Sequence, residues 1–294
     1  VGFLNRRSHV RIMPGTPTKV RSLYPLPLNI NMYQFKYFID NIDKLHQPHE
    51  TSLTSTELTN DWRDHTFSFS QAGQDLFVVA MLQGKCNGTF LELGGFSPKY
   101  GGNNTYILEK KFNFSGTSID INYDADGYHK SEPQLFTEEV HWPLCRPNTK
   151  FYNYTDALTF DYSKLAPHFD YLQVDLDEDT SLPALERVLK TQEFSVITFE
   201  HDVYNETKNP NNKLVKEQSQ KILNNLGYEL VINNATCVAD SEPDKPLFFE
   251  DWYANPLYIP KKVIEAYKWT NENDVKYYKD ILFKKDYTTT KTKQ

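Results

Sequence analysis

Four acidic side chains occupy the same kind of position in this sequence, at the end of a short apolar segment that predicts a β-strand. They are Glu92, Asp120, Asp175 and Glu200. The interior strands of a parallel sheet are normally apolar, so a carboxylate at a strand end either stays solvated or binds a ligand. Because ligands of such sheets bind beyond the carboxyl ends of the strands, the four acids together predict a pocket at one edge of a sheet.

Glu92 is the most informative of these acids because it leads directly into a glycine turn. Gly94 and Gly95 follow it, and the loop then runs to Asn104 and Thr105 at the start of a predicted helix. Glycines let a ligand approach the backbone closely, and a helix N-terminus presents unpaired N–H groups. The GxGxxG pattern of dinucleotide-binding turns is absent, and an acid before the glycines favours a cationic ligand.

Asp120 is a second candidate ligand-binding acid of this predicted site. It ends the next predicted strand, where a carboxylate commonly accepts hydrogen bonds from ribose hydroxyls. A nucleoside that also carries a positive charge is S-adenosylmethionine. The order of acid, glycine turn, helix, strand and acid therefore predicts a site for that cofactor.

The segments that must position these acids alternate between strand-like and helix-like patterns. Strands are predicted at 88–93, 116–121, 171–175, 195–200, 228–232 and 247–252, and helices at 74–82, 104–112, 183–189 and 213–226. Strands interleaved with helices predict an α/β fold, with a mostly parallel sheet covered on both faces.

The chain divides into three predicted regions. Residues 1–60 are predicted to form an N-terminal extension with one helix at 32–45, since residues 1–28 are basic and rich in proline. Residues 61–262 form the predicted α/β domain, and residues 263–294 a C-terminal helix with a polar tail.

Charge and apolar patterning argue against two broad classes of function. The 294 residues carry a formal net charge of −7, which is not typical of a nucleic-acid-binding protein. No segment approaches the roughly 20 consecutive apolar residues that span a bilayer. The three cysteines are too few and too scattered for a disulfide framework or a zinc cluster.

The compartment has two interpretations. A cytoplasmic location is predicted, and the alternative is the lumen of the secretory pathway, because six asparagines begin N-x-S/T sequons. These are Asn87, Asn103, Asn113, Asn153, Asn205 and Asn234.

Several blocks of the sequence, in their order along the chain, resemble the FkbM-like methyltransferase family. They are Ser70-Gln71-Ala72-Gly73-Gln74-Asp75, Gly88-Thr89-Phe90-Leu91-Glu92-Leu93-Gly94-Gly95, Asn104-Thr105 with Leu108-Glu109, Phe169-Asp170-Tyr171-Leu172-Gln173-Val174-Asp175-Leu176-Asp177, Phe199-Glu200-His201-Asp202, and Phe249-Glu250-Asp251-Trp252-Tyr253. Together they extend from about residue 66 to about residue 260.

The resemblance implies a class I methyltransferase fold, which is Rossmann-like and has a mostly parallel sheet of about seven strands with helices on both faces. It also implies S-adenosylmethionine as the methyl donor, and a sugar, glycan or other hydroxyl-bearing molecule as the acceptor. The predicted activity is that of an S-adenosylmethionine-dependent O-methyltransferase.

Carried over position by position, the resemblance assigns the donor site to ten residues. Glu92, Gly94 and Gly95 match the donor loop, and Asp120 matches the acid that binds the ribose. The remaining positions near the donor are Ser70, Gln71, Gln74, Asp75, Asn104 and Thr105. One position departs from the family pattern, because Asp177 is followed by Glu178 and Asp179 where a glycine is common.

The acids after Asp175 could also hold a metal ion. Their alternation is close to the EF-hand pattern, but Thr180 stands where that loop demands glycine. A divalent cation (Mg²⁺ or Mn²⁺) bound by Asp175, Asp177 and Glu200 stays open, since hard cations favour carboxylate oxygens. The alternative is a solvated acidic turn at the start of the helix near Pro183.

Methyl transfer to a hydroxyl needs alignment of the reactants and a group that takes the proton. His201 is the first candidate for this base, because it directly follows Glu200 at a predicted strand end. Asp175 is the second candidate, and Glu200 lies beside both. The alternative role for His201 is that of a buried, hydrogen-bonded histidine.

Two other functions remain open from the sequence. An Asp-x-Asp pattern after an apolar strand also fits a metal-dependent nucleotide-sugar glycosyltransferase, which needs basic residues for the diphosphate. Only Lys85 and Lys99 lie near the first loop. A methyltransferase-like domain that binds a partner without catalysis is the third hypothesis, and the altered segment after Asp175 supports it.

Overall fold

A computed structural model describes residues 68–95, 98, 103–121, 142–153, 155–177, 179–239 and 242–268. The predicted helix at 32–45 and the polar tail beyond residue 268 lie outside the described residues. The division of the chain into three regions therefore stays a prediction.

Seven strands form one sheet. They are β1 (Thr89–Leu93), β2 (Ser115–Ile119), β3 (Thr149–Tyr152), β4 (His168–Val174), β5 (Glu193–Glu200), β6 (Glu229–Ala239) and β7 (Glu242–Ala254). Their order across the sheet is β3-β2-β1-β4-β5-β7-β6. The first five strands are parallel, and β7 is antiparallel to both β5 and β6. This order confirms the predicted α/β fold with a mostly parallel sheet of about seven strands.

Six α-helices cover the sheet in the described part of the chain. They are α1 (Gln74–Met81), α2 (Tyr106–Phe112), α3 (Trp142–Cys145), α4 (Ser181–Val188), α5 (Asn211–Asn225) and α6 (Lys261–Tyr267). None of these helices has the length and apolar character needed to cross a membrane.

Two hydrophobic clusters lie on opposite faces of the sheet. Helices α1, α2 and α6 pack with Phe90 and Trp252 on one face, which we call the α1 face. Helices α4 and α5 pack with Leu91 and Tyr253 on the other, the α5 face. Because side chains alternate along a strand, these clusters show which face each neighbouring polar residue occupies.

The sequence predicted the type of most elements correctly and missed the short helix α3 and one strand. Strand β3 was missed because only one of its four side chains is buried, so its sequence lacks an apolar pattern. The C-terminal strands β6 and β7 are longer than predicted, since they pair with each other beyond the rest of the sheet.

Two of the six sequons lie in the folded interior. The side chain of Asn103 accepts hydrogen bonds from the backbone N–H groups of Thr105 and Tyr106, and that of Asn234 accepts one from Lys216. Both asparagines are buried, which makes them poor glycosylation acceptors in the folded protein.

Candidate functional site

The turn after β1 requires glycine at its first position. Gly94 has a φ of +88°, a left-handed conformation that favours glycine. A Cβ at this position would lie 1.7 Å from the backbone oxygen of Asp175. The Gly94 N–H donates to the Ile119 carbonyl at 3.0 Å. The turn is therefore wedged between the ends of β2 and β4.

Gly95 brings the same turn against polar side chains. A Cβ there would meet Ser118 Oγ at 2.2 Å and Glu92 Oε2 at 2.8 Å. A side chain at residue 95 would thus displace the groups beneath it. The backbone of the turn therefore packs directly against Glu92 of β1 and Ser118 of β2.

Three polar side chains form a row across the centre of the sheet, on the α1 face. Glu92 of β1 is in register with Ser118 of β2 on one side and with Gln173 of β4 on the other. All three are buried. We call Ser118, Glu92 and Gln173 the central polar row.

The central polar row contains atoms whose hydrogen-bonding capacity is unused. Glu92 Oε1 accepts a hydrogen bond from Thr105 Oγ1 at 2.9 Å. The Ser118 hydroxyl lies close enough to the Glu92 carboxylate to lower its pKa, but in the part of the chain that the structure describes neither Ser118 Oγ nor Glu92 Oε2 makes a well-formed hydrogen bond, and Gln173 Oε1 makes none. Buried polar atoms are nearly always paired because leaving them unpaired is costly. A ligand with polar groups would satisfy this row.

Burial dominates the electrostatics of Glu92. Removal from water raises the pKa of Glu92, and the nearby Asp175 adds to the increase, whereas the Arg146 guanidinium opposes it. A positively charged ligand would favour the ionised carboxylate in the same way as Arg146. The environment of Glu92 is therefore suited to a cation.

Asn104 and Thr105, predicted near the donor, lie beside the central polar row at the start of α2. Both are buried, and Thr105 contacts Glu92 directly. Neither amide atom of the Asn104 side chain has a partner among the described residues. The structure thus brings these two residues together with Glu92.

Asp120 lies on the same face and at the same edge as Glu92. It follows β2 and is two residues beyond Ser118, and its backbone continues the pairing with β3 through an N–H···O bond of 3.2 Å to Tyr152. Its side chain is largely buried. The two acids on which the predicted donor site depends therefore lie at the ends of adjacent strands.

Ser70 and Asp75, also predicted near the donor, are engaged with their own segment. Asp75 accepts hydrogen bonds from the hydroxyls of Ser68 and Ser70 at 2.6 and 2.8 Å and from the N–H groups of Phe69 and Leu76 at 2.9 and 2.8 Å. Burial raises the pKa of Asp75, and these donors oppose the increase. This network fixes the start of α1. Gln71, beside it, is half-buried.

Gln74 reaches a residue that the sequence reasoning missed. Its Nε2 donates to Glu250 Oε2 at 2.8 Å, and Trp252 Nε1 donates to the same oxygen at 2.7 Å. Burial raises the pKa of Glu250 to about 8, and the charge of Asp175 adds to the effect. The available signal was an acid inside the apolar strand that contains Phe248 and Phe249.

A second row of acids borders the site on the α1 face. Glu200 of β5 is in register with Glu250 of β7. Asp175 follows Val174, which pairs with Phe199, so Asp175 stands next to Glu200. Asp175 and Glu200 are half-buried. We call Asp175, Glu200 and Glu250 the outer carboxylate row.

The structure places His201 away from both rows. Its Nε2 lies 3.3 Å from Asp251 Oδ1, and Asp251 belongs to the α5 face because it alternates with Glu250 along β7. Its Nδ1 accepts a hydrogen bond from the Val203 N–H at 3.2 Å. Burial lowers the pKa of His201, so the ring is neutral.

Asp251 has partners of its own on that face. Gln220 of α5 donates to its Oδ2, and the Asn234 N–H to its Oδ1, both at 2.8 Å. Burial alone would raise the pKa of Asp251, but His201, Lys216 and the Asn234 N–H together hold it below its usual value. His201 therefore has the surroundings of a buried, hydrogen-bonded histidine, and Asp175 is the better placed candidate base.

The candidate metal ligands do not converge. Among the described residues, no group of three or more His, Cys, Asp or Glu side chains could hold a metal ion. Asp177 is exposed, and its backbone carbonyl accepts hydrogen bonds from Thr180 and Ser181 at the start of α4. The structure therefore does not support the predicted cation at Asp175, Asp177 and Glu200, because Asp177 belongs to the turn that begins a helix.

Comparison with known proteins gives similarity in structure only. No family model matches the chain, and no curated protein matches it. The O-methyltransferase from Bacillus cereus in complex with S-adenosylhomocysteine is 11% identical, over 75% of this chain and 90% of that one, with a TM-score of 0.43. The O-methyltransferase TomG from Streptomyces achromogenes, in complex with S-adenosylmethionine, is 13% identical, over 70% and 91%, with a TM-score of 0.44.

Fibrillarin from Aeropyrum pernix, with natively bound S-adenosylmethionine, is 14% identical, over 66% of this chain and 76% of that one, with a TM-score of 0.41. These similarities concern the fold alone. The resemblance to the FkbM-like family stays a prediction.

Proposed function

We propose that this protein is an S-adenosylmethionine-dependent O-methyltransferase that acts on a neutral, hydroxyl-bearing acceptor such as a sugar or glycan. The observation that carries the proposal is the central polar row, in which buried polar atoms of Glu92, Ser118 and Gln173 make no well-formed hydrogen bond within the described residues, the approach of the Ser118 hydroxyl to Glu92 being their one mutual contact. The row lies beneath a glycine turn at the carboxyl edge of the sheet, where ligands of such folds bind.

The residues present fit the proposed methyl donor. Its positive charge would offset the burial of Glu92, and Asp120 on the neighbouring strand offers a carboxylate to the ribose hydroxyls. Gly94 and Gly95 allow its close approach to the backbone. Asn104 and Thr105 complete the set at the start of α2, where they flank Glu92.

The donor, when bound, supplies an electrophilic methyl group on a positively charged sulfur. The task of the chain is to orient the acceptor hydroxyl and to receive its proton. Asp175 is our candidate for the proton acceptor, because it is half-buried at the end of β4 and within 3.4 Å of Gln173 Nε2.

The outer carboxylate row also restricts the acceptor. Two half-buried acids of this row, Asp175 and Glu200, disfavour phosphorylated or otherwise anionic molecules, so a neutral polyol fits better. The glycosyltransferase alternative needs a cation for a diphosphate, whereas Arg146, a buried cation that acts on Glu92, is paired with Glu109 at 2.7 Å. The described residues also lack a metal-binding group of three.

Calorimetric titration of the wild-type protein with S-adenosylmethionine is the first test. Binding with a micromolar to submillimolar Kd supports the proposal, and no binding at millimolar donor would contradict it. A parallel titration with a nucleotide sugar and Mn²⁺ tests the glycosyltransferase alternative, for which we expect no binding.

Label transfer from methyl-labelled donor then tests the acceptor class. We compare neutral glycans with the same glycans carrying phosphate, and we expect label only on the neutral set. Preferential labelling of the phosphorylated set would overturn the proposed acceptor while leaving the donor site intact.

A further inference from the structure

Arg146 is buried beside the candidate site, and every part of its guanidinium has a partner. Its Nε donates to Glu109 Oε2 at 2.7 Å. Nη1 donates to the Pro98 carbonyl at 3.1 Å and to Asn103 Oδ1 at 3.2 Å. Nη2 donates to Thr105 Oγ1 at 2.9 Å and to Thr149 Oγ1 at 3.3 Å.

Three aromatic rings surround the same cation. The guanidinium carbon lies 5.4 Å from the ring centre of Trp142, 5.5 Å from that of Phe90 and 5.9 Å from that of Tyr106. Cations are attracted to aromatic faces at such distances. Arg146 therefore holds β1, α2, α3 and the end of the glycine loop in one arrangement.

The contact with Thr105 extends to Glu92. Arginine has only donors, so the Thr105 hydroxyl oxygen accepts from Arg146. Thr105 Oγ1 has two acceptors in reach, Glu92 Oε1 at 2.9 Å and Asn103 Oδ1 at 3.4 Å, and the shorter distance favours Glu92 for its single hydroxyl hydrogen. A donor aimed at the carboxylate favours its ionised form. The chain of hydrogen bonds thus runs in one direction, from Arg146 through Thr105 to Glu92.

We propose that Arg146, acting through Thr105, is a positioning residue that orients Glu92 and keeps it ionised for binding the methyl donor. This inference rests on the proposed function. Arg146 is not itself assigned a contact with the donor, because its donors are already used within the protein. Nothing in the sequence motifs pointed to it, since it lies 54 positions beyond Glu92.

The affinity for the donor should depend on pH through the ionisation of Glu92. The groups that act on Glu92 are Arg146 from the segment after α3, the Ser118 and Thr105 hydroxyls, and Asp175 directly after β4. Arg146 favours the charged carboxylate and Asp175 opposes it. Loss of the hydrogen bond from Thr105 raises the pKa of Glu92, so the decrease in donor affinity on acidification begins at a higher pH.

The substitutions T105V and T105S form a matched pair. T105S keeps the hydroxyl and T105V removes it with little change in shape. R146K keeps the charge and loses the planar fork that reaches several partners at once. T149V serves as the control, because Thr149 also contacts Arg146 and has no described hydrogen bond to Glu92. Thermal unfolding of each variant establishes that it is folded.

Two readouts are measured across the pH range. The first is the Kd of S-adenosylmethionine, and the second is the titration of the Glu92 carboxyl by ¹³C NMR of glutamate-labelled protein, assigned with E92Q. We expect T105V and R146K to move the midpoint of both curves upward by about one pH unit. T105S and T149V should stay at the wild-type midpoint.

An unchanged midpoint of the Glu92 titration in T105V would overturn the inference even if the wild-type protein binds the donor. Conversely, a wild-type protein that binds no donor contradicts the proposed function, while the NMR titration still decides whether Arg146 and Thr105 keep Glu92 ionised. The two failures are therefore distinguishable.

Discussion

Asp75 and Glu92 are both fully buried carboxylates, and the two regions around them differ in how many donors they provide. At the start of α1, Asp75 accepts hydrogen bonds from two hydroxyls and two backbone N–H groups of its own segment. At the end of β1, Glu92 accepts one from Thr105 and has the Ser118 hydroxyl nearby, while its Oε2 makes no well-formed hydrogen bond within the described residues. The difference separates a carboxylate that stabilises the fold from one that we propose binds a ligand.

Substitution of the glycine beside Glu92 should have the largest effect. G94A combines a left-handed backbone with a Cβ directed at the Asp175 carbonyl, and we expect it to cost about 3 kcal/mol or more of unfolding free energy. Urea denaturation measures the loss. The control is G227A, whose φ is +87° but whose Cβ would meet nothing within 4 Å, so its cost should be about 1 kcal/mol. Equal losses in the two variants would contradict the close packing of the turn.

Substitution of Asp75 should have the next largest effect on the unfolding free energy. D75N places an amide where four donors converge, and we expect a loss of about 2–3 kcal/mol in unfolding free energy. E92Q should change the stability by less than about 1 kcal/mol, because Glu92 has few donors to lose. Denaturant titrations of both variants decide the comparison, and a greater loss for E92Q would reverse it.

The pH dependence of the unfolding free energy should distinguish Glu250 from Asp75 and Glu92. Its pKa is raised from 4.5 to about 8 in the folded protein, so the folded state holds a proton that the unfolded state releases. The stability that this group contributes is fully present below pH 4.5 and is lost as the pH rises to about 8. Between about pH 6 and about pH 9 we expect the wild-type protein to lose roughly 2 kcal/mol more than E250Q does. Parallel pH profiles for the two proteins would show that Glu250 is not protonated.

The acids at strand ends were predictable because their position depends on simple alternation. Apolar segments that end in Glu92 and Asp120 predict parallel strands, and the structure places both residues on one face at one edge. The glycine turn was equally predictable, since two consecutive glycines shortly after a strand end indicate a tight turn in which the backbone can approach other groups closely.

Other features depended on contacts between distant segments. His201 follows β5, where strand alternation ends, and its face is decided by Asp251 on β7. Ser70 and Asp75 could be placed near one another, but only their hydrogen bonds show that they satisfy each other. Arg146 and Glu250 were missed for the same reason, because their partners lie far away in the sequence.

The affinity of E92Q for S-adenosylmethionine, measured by calorimetry beside the wild-type protein, tests the central claim most directly. The account predicts a loss of about tenfold, equivalent to one charged hydrogen bond, and no loss for E186Q, in which an exposed glutamate undergoes the same chemical change. Equal affinities of E92Q and the wild-type protein would contradict the account.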